Sequence, residues 1–304
     1  MTDLPLERDF DPAYGAAERL SGLLRRVVCR NPGPFTFTGT NSYIVGHGNV
    51  AIVDPGPDDD AHLEALMAAI AGETVSHIVV THSHRDHSSL APRLKEHTGA
   101  PVYASGQAPA VEAESSEGLD AAFDLEFRPD EILRHGDVIA GQTWAGKTWT
   151  LEALRTPGHT SDHLALALAQ DGALLSGDHV MAWSTSVVAP PDGDMADYLA
   201  SLRLLLGRRE EVYWPGHGGP SRTPQRLVRA LIAHRQMREA SILERIRQGD
   251  RTVTDVVKAV YRDVDPRLHG AAALSALAHV EHLIAQGKVA CDGKPSLSAQ
   301  LRAA

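Results

Sequence analysis

Short apolar runs alternate with helical patterns through the first hundred residues of the chain. Residues 50–53 and 77–81 have the continuous apolar character of buried strands. Between them, residues 59–72 place their apolar side chains on one face, as an amphipathic helix does. A helix over residues 88–97 and a strand over 101–104 follow. This alternation of strands and helices predicts an α/β architecture.

A second series of predicted strands begins near residue 132. A helix over residues 195–206 interrupts this series, because its apolar residues recur at helical spacing. Two segments fit neither pattern well. Residues 11–21 are predicted to form a short helix or an arm, and residues 105–131 are predicted to form a surface excursion or a short helix. The strands of the second series are predicted at 137–139, 148–154, 164–168, 173–176 and 212–214.

Side chains that commonly bind metals follow four of these strands. Four lie in the loop after strand 77–81, and three more each stand beside a glycine at a later strand end. Chemistry in open α/β sheets is usually carried at the carboxyl ends of strands, so these residues are expected to converge. Glycine allows the backbone to turn tightly next to a ligand. The candidate metal ligands are His82, His84, Asp86, His87, His159, Asp178 and His217.

Seven ligands exceed the four of a tetrahedral zinc and suit two metals. One metal would take His82, His84 and His159, and the other would take Asp86, His87 and His217. Asp178 would bridge them. Two such metals, about 3.5–4 Å apart, lower the pKa of a shared water, and the bridging hydroxide attacks carbon or phosphorus. Imidazole and carboxylate ligands without thiolate favour Zn²⁺, with iron or manganese as alternatives.

Three carboxylates are candidate catalytic groups: Asp86, Asp178 and Asp54. We expect Asp54, at the end of strand 50–53, to orient a ligand histidine. The alternative is an ordinary turn residue before Pro-Gly. His163 and His179 flank the ligand loops, and their pattern leaves open whether they support the site or are ordinary polar residues.

The charge of the chain divides unevenly. Residues 1–221 carry 15 Lys and Arg against 31 Asp and Glu, a net −16, whereas residues 222–304 carry 14 against 8, a net +6. We interpret this shift as a boundary between a catalytic domain, 1–221, and a C-terminal domain, 222–304. The basic region is either a partner-binding surface or chance variation among solvated faces.

The spacing His82-x-His84-x-Asp86-His87, with the three later ligands, resembles the metallo-β-lactamase superfamily. The resemblance implies an αββα sandwich, in which two sheets lie between helices and a dinuclear site lies at one edge. His84 stands where the flavodiiron oxygen reductases of the superfamily carry Glu, which counts against that branch.

A narrower resemblance is to the β-lactamase-like subgroup that ends in a winged helix. Segments 31–43, 156–163 and 213–218 match its motifs, and the tail fits it with three predicted helices and a wing-like strand beginning at 287–290. Animal members of this subgroup resemble single-strand RNA endonucleases, and neighbouring branches include thioesterases and lactonases. The helices are predicted at 227–247, 254–261 and 274–286.

The function expected is therefore a dinuclear zinc hydrolase acting on an ester-type bond. Its substrate is either a small acyl ester, thioester or lactone, or a phosphodiester such as single-stranded RNA. The basic tail would help to hold RNA, but Tyr261 is its only aromatic residue for stacking. A mononuclear iron dioxygenase and a nucleic-acid-binding regulator are alternatives from other classes.

Composition adds expectations about location and assembly. The first residues lack the basic start and apolar run of a secretory signal, and no apolar run reaches transmembrane length. Cys29 and Cys291 are far apart, so a disulfide framework is not expected. We expect a cytoplasmic protein without membrane contact, and a homodimer is one option for its assembly.

Overall fold

The computed structural model describes residues 4–106, 122–261 and 269–304. Its first sheet has seven strands that neighbour one another in chain order. They are β1 (Glu18–Arg19), β2 (Leu24–Val28), β3 (Asn41–His47), β4 (Asn49–Val53), β5 (Thr74–Val79), β6 (Val102–Ala104) and β7 (Glu131–Ile132). The first four strands pair antiparallel, and β4 to β7 pair parallel.

The second sheet has five strands. They are β8 (Val138–Gln142), β9 (Thr148–Arg155), β10 (Leu164–Leu168), β11 (Ala173–Gly177) and β12 (Val212–Pro215). Their spatial order is β12-β11-β10-β9-β8. The pairs from β8 to β11 are antiparallel, whereas β12 runs parallel to β11.

Alternation along β3 shows how the two sheets share a core. Tyr43 and Val45 point toward the second sheet, where they pack with Trp149 and Leu166. Ile44, between them, points to the helices on the outer face. Both faces of the strand are therefore apolar, as expected for a strand buried on both sides.

Helices cover the outer face of each sheet. On the first sheet, α1 and α3 bury Leu66 and Leu94, and on the second sheet α4 and α5 bury Leu202 and Leu231. The result is the predicted four-layer αββα sandwich. The helices are α1 (Asp60–Ala69), α2 (Arg85–Ser88), α3 (Ala91–Thr98), α4 (Met195–Leu206) and α5 (Pro224–Arg247).

The C-terminal region has its own core around Ile242, Val256 and Val280. It contains the second half of α5, then α6 (Val253–Val260), α7 (His269–Ala285) and an antiparallel hairpin of β13 (Val289–Cys291) with β14 (Leu301–Ala303). These helices and the hairpin confirm the winged-helix prediction. Because α5 contributes to both cores, the domain division at residue 221 stays a prediction.

The structure refines two local predictions. Residues 11–21, predicted as a short helix or an arm, form turns and the short β1 and no helix, and Gly15 there adopts a left-handed φ of 71°. The helix predicted over 88–97 is divided in the structure, because α2 ends at Ser88 and α3 begins at Ala91. Pro92 occupies the first turn of α3, since proline fits the start of a helix but not its interior. Part of the predicted excursion, 107–121, lies outside the described residues.

Trp149 gives a direct test of the core between the sheets. It is fully buried, and its indole N–H donates to the carbonyl of Asn49 at 2.9 Å. We expect Trp149→Ala to lower the free energy of unfolding by about 3–5 kcal/mol. Trp144 is 72% exposed, so Trp144→Ala should change it by less than about 0.5 kcal/mol. Urea unfolding followed by circular dichroism measures both, and equal losses would contradict this account of the core.

Candidate metal centre

Four loops bring the seven candidate ligands to one edge of the sandwich. The loop after β5 carries His82 and His84 and continues into α2 with Asp86 and His87. The other three ligands follow strands of the second sheet: His159 after β9, Asp178 after β11 and His217 after β12. All seven residues that the sequence predicted as ligands therefore meet at one place.

Within this cluster, potential ligand atoms gather in groups whose members lie within 4.8 Å of one another. In the first group, Nδ1 of His84 lies 3.0 Å from Nε2 of His82 and 3.2 Å from Nε2 of His159. Ligand atoms of a tetrahedral zinc with bonds of about 2.0–2.1 Å are about 3.3 Å apart. The three imidazoles thus have the spacing of ligands around a single ion.

The second group comprises Asp86, His87 and His217. Nε2 of His217 lies 3.2 Å from Oδ2 of Asp86 and 3.3 Å from Nε2 of His87. Nε2 of His87 lies 3.5 Å from the same carboxylate oxygen. This group again has the spacing of ligands that share an ion.

Asp178 lies between these two groups and forms a third group with one histidine of each, His82 and His87. Its Oδ2 is 3.3 Å from Nε2 of His217 and 3.8 Å from Nε2 of His159, and its Oδ1 is 3.7 Å from Nε2 of His87. The side chain is buried, yet Oδ1 accepts no hydrogen bond from the described residues. Buried carboxylate oxygens are rarely left without a partner, so this atom fits a cation ligand between the groups.

Asp54 supports the ligands from behind. Its backbone adopts a left-handed φ of 51° at the end of β4, which turns its carboxylate toward the ligand loop. Oδ1 accepts the N–H of Thr81 at 2.7 Å, and Oδ2 lies 3.0 Å from Nδ1 of His87. The Thr81 hydroxyl donates to Asp54 and lies 2.9 Å from Nδ1 of His82. Asp54 therefore positions ligand histidines and does not itself face the reaction space.

Backbone carbonyls orient two further ligand rings. Nδ1 of His159 donates to the carbonyl of Val187 at 2.6 Å, and Nδ1 of His217 donates to the carbonyl of Gly39 at 3.2 Å. These contacts fix the tautomer and leave each Nε2 free to bind a cation.

Electrostatics in the cluster favours metal binding over protonation for the first group. Burial holds the pKa of His82 well below its usual range, which keeps its imidazole neutral, and the neutral form is the one that metals bind. In the second group burial acts against charge on His217, but Asp178 and Asp86 raise the pKa of its ring to about 9. A cation there would replace a proton as the partner of these carboxylates.

His163 and His179 lie beside the cluster but outside the groups of potential ligand atoms. Nε2 of His163 accepts the backbone N–H of Asp178 at 3.1 Å, and its Nδ1 lies 2.9 Å from the hydroxyl of Thr156. His163 thus orients the turn that carries Asp178. His179 is buried against Tyr198, with ring centroids 4.7 Å apart.

Several supporting residues had no signal in the sequence. The Ser186 hydroxyl donates to the carbonyl of Asp178 at 2.5 Å, and the guanidinium of Arg235, on α5, donates to the carbonyl of Ser186. The second contact joins residues 49 apart in the chain, and the first depends on how a loop folds back, so no local spacing could reveal either. Gly216, next to His217, also matters because a Cβ there would lie 2.4 Å from Oδ1 of Asp178.

A cavity of about 410 Å³ opens onto the cluster. His84, Asp86, His159, Asp178 and His217 line one end of it. Its walls are mainly apolar and come from both the sandwich and the C-terminal region. The wall residues include Phe35, Phe123, Met181, Trp183, Val187, Tyr261 and Ala272.

Comparison with known proteins agrees with this fold and site. Residues 35–217 match the family model of the metallo-beta-lactamase superfamily, and residues 252–296 match the beta-lactamase associated winged helix domain. The chain therefore belongs to the metallo-beta-lactamase superfamily, as a hydrolase with a C-terminal winged-helix domain.

The relatives include beta-lactamase-like proteins and thioesterases. The chain is 31% identical to the beta-lactamase-like protein 2 homolog of Caenorhabditis elegans, over 81% of this chain and 79% of that protein. It is 28% identical to an atrochrysone carboxyl ACP thioesterase of Claviceps purpurea, over 85% and 78%. A beta-lactamase domain protein from Burkholderia ambifaria shares the fold, with a TM-score of 0.79 at 24% identity over 99% and 97% of the two chains.

No helix in the described ranges combines the length and the apolar character needed to cross a membrane. The cytoplasmic location expected from the sequence stays a prediction.

Gly216 gives a test of the cluster as a metal centre. In Gly216→Ala the new Cβ would lie 2.4 Å from Oδ1 of Asp178 and 2.6 Å from Cε1 of His87, so these ligands must shift. We expect the bound metal, measured by mass spectrometry after gel filtration, to fall by at least about half, since ligand geometry must hold within a few tenths of an ångström. Gly22 has open space around it, and Gly22→Ala should keep full metal content; an unchanged Gly216→Ala would refute the site.

Asp54 gives a second test. We expect Asp54→Asn to weaken metal binding by about 10–100-fold, because it removes the carboxylate that holds His87. Competition with a chelator measures the affinity, and the exposed Asp9→Asn serves as control. An affinity equal to that of the control would show that Asp54 is an ordinary turn residue.

Proposed function

We propose that the chain is a dinuclear zinc hydrolase that cleaves thioesters of small acyl groups. The observation that carries this proposal is the mainly apolar cavity of about 410 Å³ that ends at the ligand cluster. Such a cavity buries an acyl chain and brings one polar bond to the ligand end.

The residues would share two ions in the manner that their spacing supports. His82, His84 and His159 would hold one zinc, and Asp86, His87 and His217 would hold the other, with Asp178 between them. When bound, the two zincs supply a water of lowered pKa and polarise the carbonyl that is to be attacked. Imidazole and carboxylate donors without thiolate suit zinc, and iron or manganese are the alternatives.

The chain itself contributes orientation and a dry environment. The Asp54 carboxylate and the carbonyls of Val187 and Gly39 hold three ligand rings by their outer nitrogens. Phe123 and Trp183 exclude water from the walls around the reacting bond, which strengthens electrostatic interactions there. Asp86 and Asp178 face the cavity end and are the carboxylates nearest to the reacting atoms.

Thioesters are favoured among acyl substrates by the relatives. The proteins from Claviceps purpurea and Aspergillus fumigatus that match this chain are named atrochrysone carboxyl ACP thioesterases. Their names state that they act on thioesters, and a mainly apolar cavity of this size accommodates the acyl group of a thioester. Simple esters and lactones would use the same site.

Single-stranded RNA is the second candidate, supported by the net charge of +6 on residues 222–304. The cavity favours a small acyl substrate over RNA, because its walls are mainly apolar and its described lining has only three arginines, fewer cations than an extended phosphate backbone contacts. Tyr261 is only 8% exposed and lies beneath Arg238, so it is not an open stacking platform. A nucleic-acid-binding regulator is disfavoured for the same reasons, and a homodimer would be compatible with either function.

A substrate panel on zinc-loaded protein tests the proposal. The panel comprises hexanoyl-N-acetylcysteamine, a six-carbon lactone, bis-p-nitrophenyl phosphate and single-stranded RNA. We expect two zincs per chain and the highest kcat/KM on the thioester. Asp178→Ala should lower that value by about 100-fold or more, because it removes the carboxylate between the ions, whereas Asp9→Ala should not.

Other outcomes select among the alternatives. Preferential cleavage of RNA would favour the endonuclease, and one iron per chain would favour a dioxygenase. Activity that survives Asp178→Ala would contradict a hydrolytic role for the cluster.

A further inference from the structure

Two arginines of α5 line the same cavity as the metal ligands. They are Arg235 and Arg238, one helical turn apart. Arg235 contacts the sandwich through Ser186 and Tyr198, and Arg238 contacts the C-terminal region through Val260 and Tyr261. We propose that they form an anion subsite, so that the substrate is a thioester that carries a carboxylate or phosphate. This inference rests on the proposed function, and it names the class of substrate that the cavity selects.

Arg235 is a buried charge. Its side chain belongs to a residue only 4% exposed, and its guanidinium lies 5.2 Å from the ring centroid of Tyr198. One terminal nitrogen donates to the carbonyl of Ser186, while Nε has no hydrogen-bond partner among the described residues. A buried guanidinium with unused donors is costly unless an anion reaches it.

Arg238 is held in a similar way. Its guanidinium lies 4.3 Å from the ring centroid of Tyr261, and one nitrogen donates to the carbonyl of Val260 at 2.9 Å. Stacking uses the flat face of a guanidinium and leaves N–H groups at its edge for a planar anion. The two aromatic rings thus hold both arginines without neutralising them.

The positive charges of Arg235 and Arg238 are not balanced by carboxylates in the described part of the chain. Neither arginine lies within ion-pair distance of a carboxylate in the described ranges. The described cavity lining has two carboxylates, Asp86 and Asp178, and both stand among the metal ligands. A third arginine, Arg8, also lines the cavity and donates to the carbonyl of Trp183. The space beside α5 therefore favours an anionic group.

The position of the pair fits a substrate anchored at two points. Arg235 donates to Ser186, and the next residue, Val187, accepts from the ligand His159. The anionic group of a substrate would thus bind at Arg235 and Arg238, and the thioester bond of the same substrate would reach the ligand cluster. The anion could belong to the acyl group, as a terminal carboxylate, or to the thiol carrier, as the phosphate of a phosphopantetheine arm.

Two matched substrate pairs distinguish these sources. The first compares hexanoyl-N-acetylcysteamine with its analogue bearing a terminal carboxylate, and the second compares hexanoyl-N-acetylcysteamine with hexanoyl-coenzyme A. We expect the native protein to prefer one anionic partner by about tenfold or more in kcat/KM, the range of a charged hydrogen bond. Arg238→Met should reduce that preference to near unity, and Arg235→Lys should reduce it in part, since lysine lacks the fork.

Arg229 supplies the matched control, because it lies on the same helix but is exposed and outside the cavity. Arg229→Met should keep the full preference. If Arg238→Met lowers the preference within the first substrate pair, the anion belongs to the acyl group. If it lowers the preference within the second pair, the anion belongs to the thiol carrier. No preference in the native protein, or a preference that survives Arg238→Met, overturns the subsite.

Calorimetry separates this inference from the proposed function. Adipate and 4′-phosphopantetheine are titrated into zinc-loaded native protein and into Arg238→Met. If either probe binds the native protein and binds Arg238→Met at least about fivefold more weakly, the subsite is supported. This result would hold even if no thioester is cleaved, because a lack of cleavage refutes only the thioesterase function. Failure of both probes to bind, or equal binding to both proteins, overturns the subsite independently of catalysis.

Discussion

A buried carboxylate among imidazoles is the constraint on which the rest of the structure depends. Asp178 is removed from water at the meeting point of four loops, with one oxygen lacking a hydrogen-bond partner in the described structure. Burial acts against its charge, but His217 and His87 hold its pKa well below the usual range. Such a group is stable only with positive charge beside it, and the surrounding rings are spaced to bring a cation there.

The sandwich positions the ligand rings around Asp178 at the ends of its strands, and hydrogen bonds to the ring nitrogens that do not face the cluster hold them there. Asp54 and Thr81, at the ends of β4 and β5, fix His82 and His87. Gly216 leaves room for the Asp178 carboxylate where a side chain would collide with it. The C-terminal region then completes the site, because Arg235 holds the loop of Ser186 and α5 closes the cavity. Residues of the winged-helix domain, such as Tyr261 and Ala272, also line this cavity.

The local pattern of the sequence was enough to predict an α/β architecture and the dense cluster of ligands, whereas the four-layer sandwich came from the resemblance of the ligand spacing to a known superfamily. Strands such as β10 are apolar throughout, and His159, Asp178 and His217 stand at strand ends beside glycines, so these signals are short-range. Local periodicity left residues 11–21 as a short helix or an arm, and Gly15 and the pairing of β1 with β2 decide for the arm. Arg235 and Ser186 could not be recognised, since they act through contacts 49 residues apart. The arginine pair could not be predicted as a site either, because only the packing of α5 against the cavity brings these two side chains to its wall.

We propose that the seven side chains hold two ions, and anomalous diffraction at the zinc edge from crystals of zinc-loaded protein tests this proposal. We expect two peaks about 3.5–4 Å apart, one bounded by His82, His84 and His159 and the other by Asp86, His87 and His217, with Asp178 between them. A single peak, or peaks away from these side chains, would contradict it.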